Sequence, residues 1–165
     1  MNKLFAFIFI SSVLLACSAP ETVEYQSPSI EVEGEFLFEG PNTLQGKASE
    51  DILAQIASQN EITEENIKSV KLKSATISFF PDSLRTDVES ALIQLVSDDL
   101  ELISVATKSP LPQEEVISLE VTAEQDILPY LKDDSYTLVV DANVSSDMDY
   151  LSAKVSFEFN VEYKK

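Results

Sequence analysis

The side chains able to do chemistry in this sequence are almost all carboxylates. Asp98-Asp99, Asp133-Asp134, and Asp147 with Asp149 each stand in a polar stretch between apolar segments. Calcium takes about six to eight oxygen ligands, which converging loops can supply, so these six aspartates are the metal candidates. None of the three stretches has the spaced Asp/Asn-Gly-Glu pattern of an EF-hand, and aspartate also favours solvated turns for its own backbone bonding, which accounts for all three without a metal. No cofactor is implied. A second use of carboxylates is glycoside cleavage, which needs one raised and one ordinary carboxyl held a fixed distance apart. The 29 acidic residues offer many such pairs and single out none.

Other chemistries are closed by composition. The 165 residues include no His, no Trp and a single Cys at position 17. Without histidine there is no Ser-His-Asp or Cys-His machinery, and one cysteine makes neither an internal disulfide nor a thiolate zinc site. Eleven basic residues against 29 acidic ones give a net charge of −18. Nucleic acid is therefore not an expected partner, because its binding draws on Lys and Arg to neutralise phosphates. Direct adsorption to an anionic bilayer is disfavoured for the same reason.

Cys17 has a specific context. Lys3 provides a positive start, Leu4 to Leu15 form an apolar stretch too short for a span of ~20 residues, and Leu14-Leu15-Ala16-Cys17 closes it. This segment resembles the signal peptide and lipobox of bacterial lipoproteins, with aliphatic and small residues leading into a cysteine. The resemblance covers about residues 1–20. It implies cleavage before Cys17, a diacylglyceryl group on its sulfur and acylation, such as palmitate, of its amine. Loss of residues 1–16 removes Lys3 and no acid, moving the charge from −18 to −19, so lipid must hold the chain at the membrane. The expected location is the cell envelope, and Ser18 after the cysteine implies the outer membrane if the source is Gram-negative. The alternative is an ordinary small residue near a conventional signal cleavage site.

The elements that must carry these residues follow a mainly period-two pattern. Residues 17–28, with Pro20 and Pro28 and scattered acid, read as the lipidated N-terminus and a flexible tether; residues 29–165 read as a single domain. A first strand is expected at 29–39, with Ile30, Val32, Phe36 and Phe38 on one face and Glu31, Glu33, Glu35 and Leu37 on the other. Residues 67–80 predict a strand with a bulge, because the apolar side moves from Val70 and Leu72 to Ile77 and Phe79. Residues 83–96 fit either a helix or part of a hairpin, and the β-branched runs around Asp98-Asp99 favour a short helical turn at 83–89 followed by a hairpin. A strand at 115–122 with Ile117, Leu119 and Val121 inward comes next. Tyr136 to Val144 and Leu151 to Tyr163 then form two partner strands joined at 145–149. Short helices are expected from Ser49, as a cap, to Asn60, and at 126–132, where Pro129 stands near a helix start.

About seven strands with short connections predict a mainly β fold, an antiparallel two-sheet sandwich, immunoglobulin-like in general architecture, with one or two short helices. Phe79 and Phe80 are adjacent, so on a strand they face opposite sides and one of them becomes a candidate hydrophobic contact. Helix coverage of the outer ring is the plainer explanation. The function expected is a non-enzymatic acylated envelope lipoprotein whose acidic sandwich presents a surface to an envelope protein or glycan. A lipid or hydrophobic-ligand binder is the alternative, and a carboxylate hydrolase is third.

Overall fold

A computed structural model describes residues 19–48, 51–122, 125–133 and 136–165. Cys17, Ser49 and Asp134 lie outside the described residues. The fold is mainly β and antiparallel, with layers facing each other across one core, as the period-two pattern predicts. Among the described residues nine strands form rather than about seven: β1 Glu21–Gln26, β2 Ile30–Leu37, β3 Gly40–Gly46, β4 Ile67–Phe80, β5 Val88–Val96, β6 Ile103–Lys108, β7 Ile117–Val121, β8 Thr137–Val144 and β9 Met148–Tyr163. Their order is β1-β9-β2-β3-β8-β5-β6-β7-β4, and β4 also pairs with β9, so the ladder returns to its start and the layers are continuous.

β9 is the spine of this arrangement. Its apolar residues Leu151, Ala153, Val155, Phe157, Phe159, Val161 and Tyr163 are all buried, as strict alternation requires. One edge pairs with β4 from Ile67↔Tyr163 to Phe80↔Ser152, with register shifts after Ile67 and after Leu72. The second shift is the bulge that the change of apolar face foretold. The other edge of β9 carries β2 and then β1 in tandem, Ile30↔Val155 to Leu37↔Met148 and Glu21↔Tyr163 to Gln26↔Glu158.

The segment read as part of a flexible tether is therefore corrected: residues 21–26 are a ladder strand. Tyr25 is buried and its hydroxyl donates to Gln55 Oε1 at 2.6 Å. The junction at Ser27-Pro28, where proline lacks a donor, is stitched by Ser27, which donates its N–H to Phe157 O at 2.8 Å and accepts Phe157 N–H on Oγ at 3.0 Å. A side-chain oxygen replaces the backbone acceptor and lets the ladder cross a proline.

β8 and β9 do not form the expected hairpin. β8 lies between β3 and β5, with Val140 opposite both Leu44 and Ile93, so residues 145–147 bridge one mouth of the closed sheet to reach β9. At the opposite mouth sit α1 Ile52–Gln59 and α2 Leu128–Leu131. Asp51, rather than Ser49, caps α1, accepting Ala54 N–H at 3.0 Å. Ile52, Leu53 and Ile56 are buried on one face, as their spacing predicts. Asp126 fixes α2 by accepting N–H from Val70 at 2.8 Å and Leu128 at 3.0 Å. The helical turn and hairpin expected at 83–105 form as a 3-10 turn at Asp82–Asp87 and the β5–β6 pair.

Two glycines are required by geometry. A Cβ on Gly46 would stand 2.0 Å from Glu31 O, where β3 closes on β2. Gly40 has φ +110° in the β2–β3 turn, a conformation open mainly to glycine.

Candidate functional site

At the mouth bridged by residues 145–147, the end of β2 departs from its expected alternation. Phe36 and Phe38, expected to face inward, are each 70% exposed, while Leu37 is buried. The cause is local: Phe36 has φ +53°, a left-handed conformation that moves the following residues one step out of phase. Leu37 then takes the inward place opposite Met148.

The turn that presents the two rings is pinned by polar side chains. Asn42 accepts Phe38 N–H on Oδ1 at 3.1 Å and donates Nδ2 to Phe38 O at 2.7 Å and Gly40 O at 2.9 Å. Asp147 Oδ1 accepts Glu39 N–H at 2.8 Å. Beside them the hydroxyl of Tyr150, 39% exposed, donates to Glu33 Oε2 at 2.9 Å. An open hollow of about 620 Å³ results, walled by Phe36, Phe38, Leu84, Met148 and Tyr150 and edged by Asp147 and Asp149. Exposed apolar side chains held in a fixed position at one end of a domain are the mark of a docking surface.

The sequence-predicted site residues fall elsewhere or serve other ends. Phe79 is fully buried, and Phe80 is half-buried on the outer face with Lys154 Nζ 5.4 Å from its ring centre. The two rings do face opposite sides, and the outward one carries the Lys154 ammonium over its face. Asp98, Asp99 and Asp133 lie at the α2 end, where Ser97 Oγ donates to Asp133 and accepts Asp99 N–H at 3.2 Å. Asp147 and Asp149 lie at the other mouth, so the five candidates among the described residues do not converge. Among the described residues no group of three or more Cys, Asp or Glu side chains could hold a metal ion.

Among the described residues two carboxyls are perturbed by their surroundings, and both are pulled down. Lys73, and then Ser74, lower Glu158; Lys108 lowers Glu120. A general acid requires the opposite shift. Lys73 bridges Glu24 at 2.7 Å and Glu158 at 2.9 Å, tying β1 to the spine through an exposed ion pair.

An internal apolar gap beneath α1 and α2, lined by residues including Ile52, Leu131, Tyr136 and Phe157, has a volume of about 10 Å³. That is room for about one water and none for an acyl chain. The Tyr136 hydroxyl is buried there without a hydrogen-bond partner among the described residues, and burial, with Asp51 nearby, pushes its pKa up to about 12.

Sequence reasoning missed Phe36 and Phe38 as surface residues. The usable signal was Leu37: three consecutive apolar residues before Glu39-Gly40-Pro41-Asn42 cannot all face the core, and a turn relaxes the alternation that would bury the outer two.

Comparison with known proteins adds no identity. No family model and no curated protein matches the chain. A solved chain of turnip yellow mosaic virus is 14% identical, covering 84% of this chain and 94% of that one, at a TM-score of 0.23. A likeness at that score carries no argument about fold or function.

Proposed function

We propose that this chain is a non-enzymatic acylated lipoprotein of the cell envelope, anchored through Cys17, that docks a protein or glycan partner at its aromatic mouth. The observation that carries the docking reading is the pair Phe36 and Phe38, each 70% exposed on a turn pinned by Asn42 and Asp147. Holding two rings in solvent against their own transfer preference costs the free chain stability, and fixing them in advance lowers the ordering entropy of binding.

Glu21, the start of β1, and the hollow stand at opposite ends of β9. Cys17 is four residues before Glu21, a reach of at most ~13–14 Å, and Glu21 pairs with Tyr163. Tyr150 lies thirteen residues back along β9, about 43 Å at ~3.3 Å per residue. A lipid on Cys17 would thus turn the helical mouth to the membrane and present the aromatic mouth away from it.

The experiment has two arms in a bacterial host. Intact mass and membrane partition of wild type and Cys17→Ala test the anchor: an acylated chain beginning at Cys17, with the variant released or left as precursor, is expected. A soluble unacylated wild type refutes the lipoprotein reading. A photo-crosslinking residue at position 38, with position 120 as control, tests docking. One defined adduct at 38, lost with Phe36→Ser, is expected; equal adducts at both positions, or none at 38, refute it.

A further inference from the structure

We propose that the aromatic hollow takes a segment of a protein partner in which lysine or arginine residues are interspersed with apolar ones. The inference rests on the docking reading above and names the partner's chemistry.

Three features select that class over a glycan. First, the neutral hydrogen-bond donors at the hollow are already engaged. Both ends of the Asn42 amide bond the turn backbone, and the Tyr150 hydroxyl donates to Glu33. Sugar recognition draws on such amides and hydroxyls. Second, what remains for a ligand is apolar surface and carboxylate. Asp147 and Asp149 line the hollow, and the exposed Glu35 and Glu39 flank its two rings in sequence. Ionised carboxylates only accept hydrogen bonds, so they complement ammonium and guanidinium donors. Neither a lysine nor an arginine lines the hollow, and none of these four acids is in an ion pair among the described residues. Third, phenyl faces attract cations, and the fold already uses this twice, with Lys154 5.4 Å from the ring centre of Phe80 and Lys165 5.9 Å from that of Tyr163.

The same charges argue against the other occupants. A second copy would bring its own acids to the rim, in a chain of net charge −18, and like charges across an interface oppose association. An anionic bilayer is repelled likewise.

The test uses the purified full chain in phosphatidylcholine nanodiscs and fluorescence anisotropy of three labelled twelve-residue peptides. One combines Leu with Lys, the second replaces Leu by Ser, and the third replaces Lys by Glu. The Leu/Lys peptide should bind at least tenfold more tightly than either control. Phe36→Ser with Phe38→Ser should weaken it at least tenfold and Asp149→Asn about threefold, while Glu64→Gln, at the far end of the fold, should leave it unchanged. Near-ultraviolet circular dichroism checks that the variants are folded, which the exposure of both rings favours.

Equal binding of the Ser/Lys peptide, or binding that survives loss of both rings, would overturn the inference by showing diffuse charge attraction. Ring-dependent binding of an N-acetylglucosamine oligomer without peptide binding would overturn it while leaving the docking reading intact. Ring-dependent self-association, or ring-dependent binding to phosphatidylcholine vesicles, would assign the hollow to a second copy or to a bilayer. Failure of every peptide to bind in a ring-dependent way would also overturn it, whereas the docking reading itself falls only with the adduct at position 38.

Discussion

Phe36 offers a reversal of sign that ordinary strand physics does not produce. At a regular strand position glycine is less stable than alanine by roughly 0.5–1 kcal/mol, because its unfolded backbone has more freedom to lose. Phe36, however, has φ +53°, where a residue with a Cβ pays roughly 1–2 kcal/mol and glycine pays almost nothing. Truncation to either residue removes the same ring, and with the residue 70% exposed only some 30% of its area was buried. At ~25 cal/mol per Å² on an aromatic side chain of about 200 Å², that shared loss is ~1.5 kcal/mol. The difference between the two variants therefore isolates the backbone, and Phe36→Gly should be more stable than Phe36→Ala by about 0.5–1 kcal/mol. Urea denaturation of the two full-length variants at constant m-value reads this as a higher midpoint for glycine. A midpoint for alanine equal to or above that of glycine would show that residue 36 is not held in the left-handed region, and the outward display of both rings would lose its cause.

Four further outcomes follow from buried groups and close approaches. Tyr136→Phe removes a buried hydroxyl without a partner and should stabilise the protein by about 1 kcal/mol at neutral pH, read by chemical denaturation. The same substitution should remove a pH effect. With a folded pKa of about 12 against ~10 unfolded, the Tyr136 contribution is intact below pH ~10, and ~2–3 kcal/mol is lost as pH rises to about 12; a wild-type slope no steeper than that of the variant would refute the assignment. Ser27→Ala should cost roughly 1–3 kcal/mol, since it leaves the Phe157 N–H buried without its acceptor, and hydrogen exchange should show that amide and β1 opening first. Gly46→Ala should be the most damaging small change, because its Cβ would meet Glu31 O at 2.0 Å and β3 would have to part from β2; a thermal midpoint within a degree or two of wild type would refute that close approach.

The strands most legible in the sequence are those with one face fully buried. Residues 151–163 of β9 alternate apolar and polar without error because they have a core on one side, β8 departs from alternation only at the buried Val139, and the bulge in β4 showed itself as a change of apolar face. β1 was not legible, because only Val23 and Tyr25 mark its inward side and prolines stand on both flanks. Its place comes from long-range pairing with β9, which no local pattern records. The pairing of β8 with β3 and β5 rather than with β9 is hidden for the same reason: alternation specifies a face and not a neighbour. At the site, the acidic residues were visible and their dispersal to opposite mouths was not. Phe36 and Phe38 were read as core because a left-handed residue, invisible in composition, displaced the phase by one.

The dependence of three separate strands on β9 also fixes an order of events during synthesis. β1, β2 and β4 are made early, yet each has its longest partner in residues 148–163; the hydroxyl of Tyr163 closes on Glu21 across 142 positions. Until that last strand emerges, β1 lacks its ladder partner, and β2 and β4 hold only their shorter pairings with β3 and β7. Contacts so distant in sequence make closure slow relative to local pairing and place it after the strand's release. A chain built this way remains threadable for as long as β9 is withheld, and it acquires its shape only once that strand has been delivered.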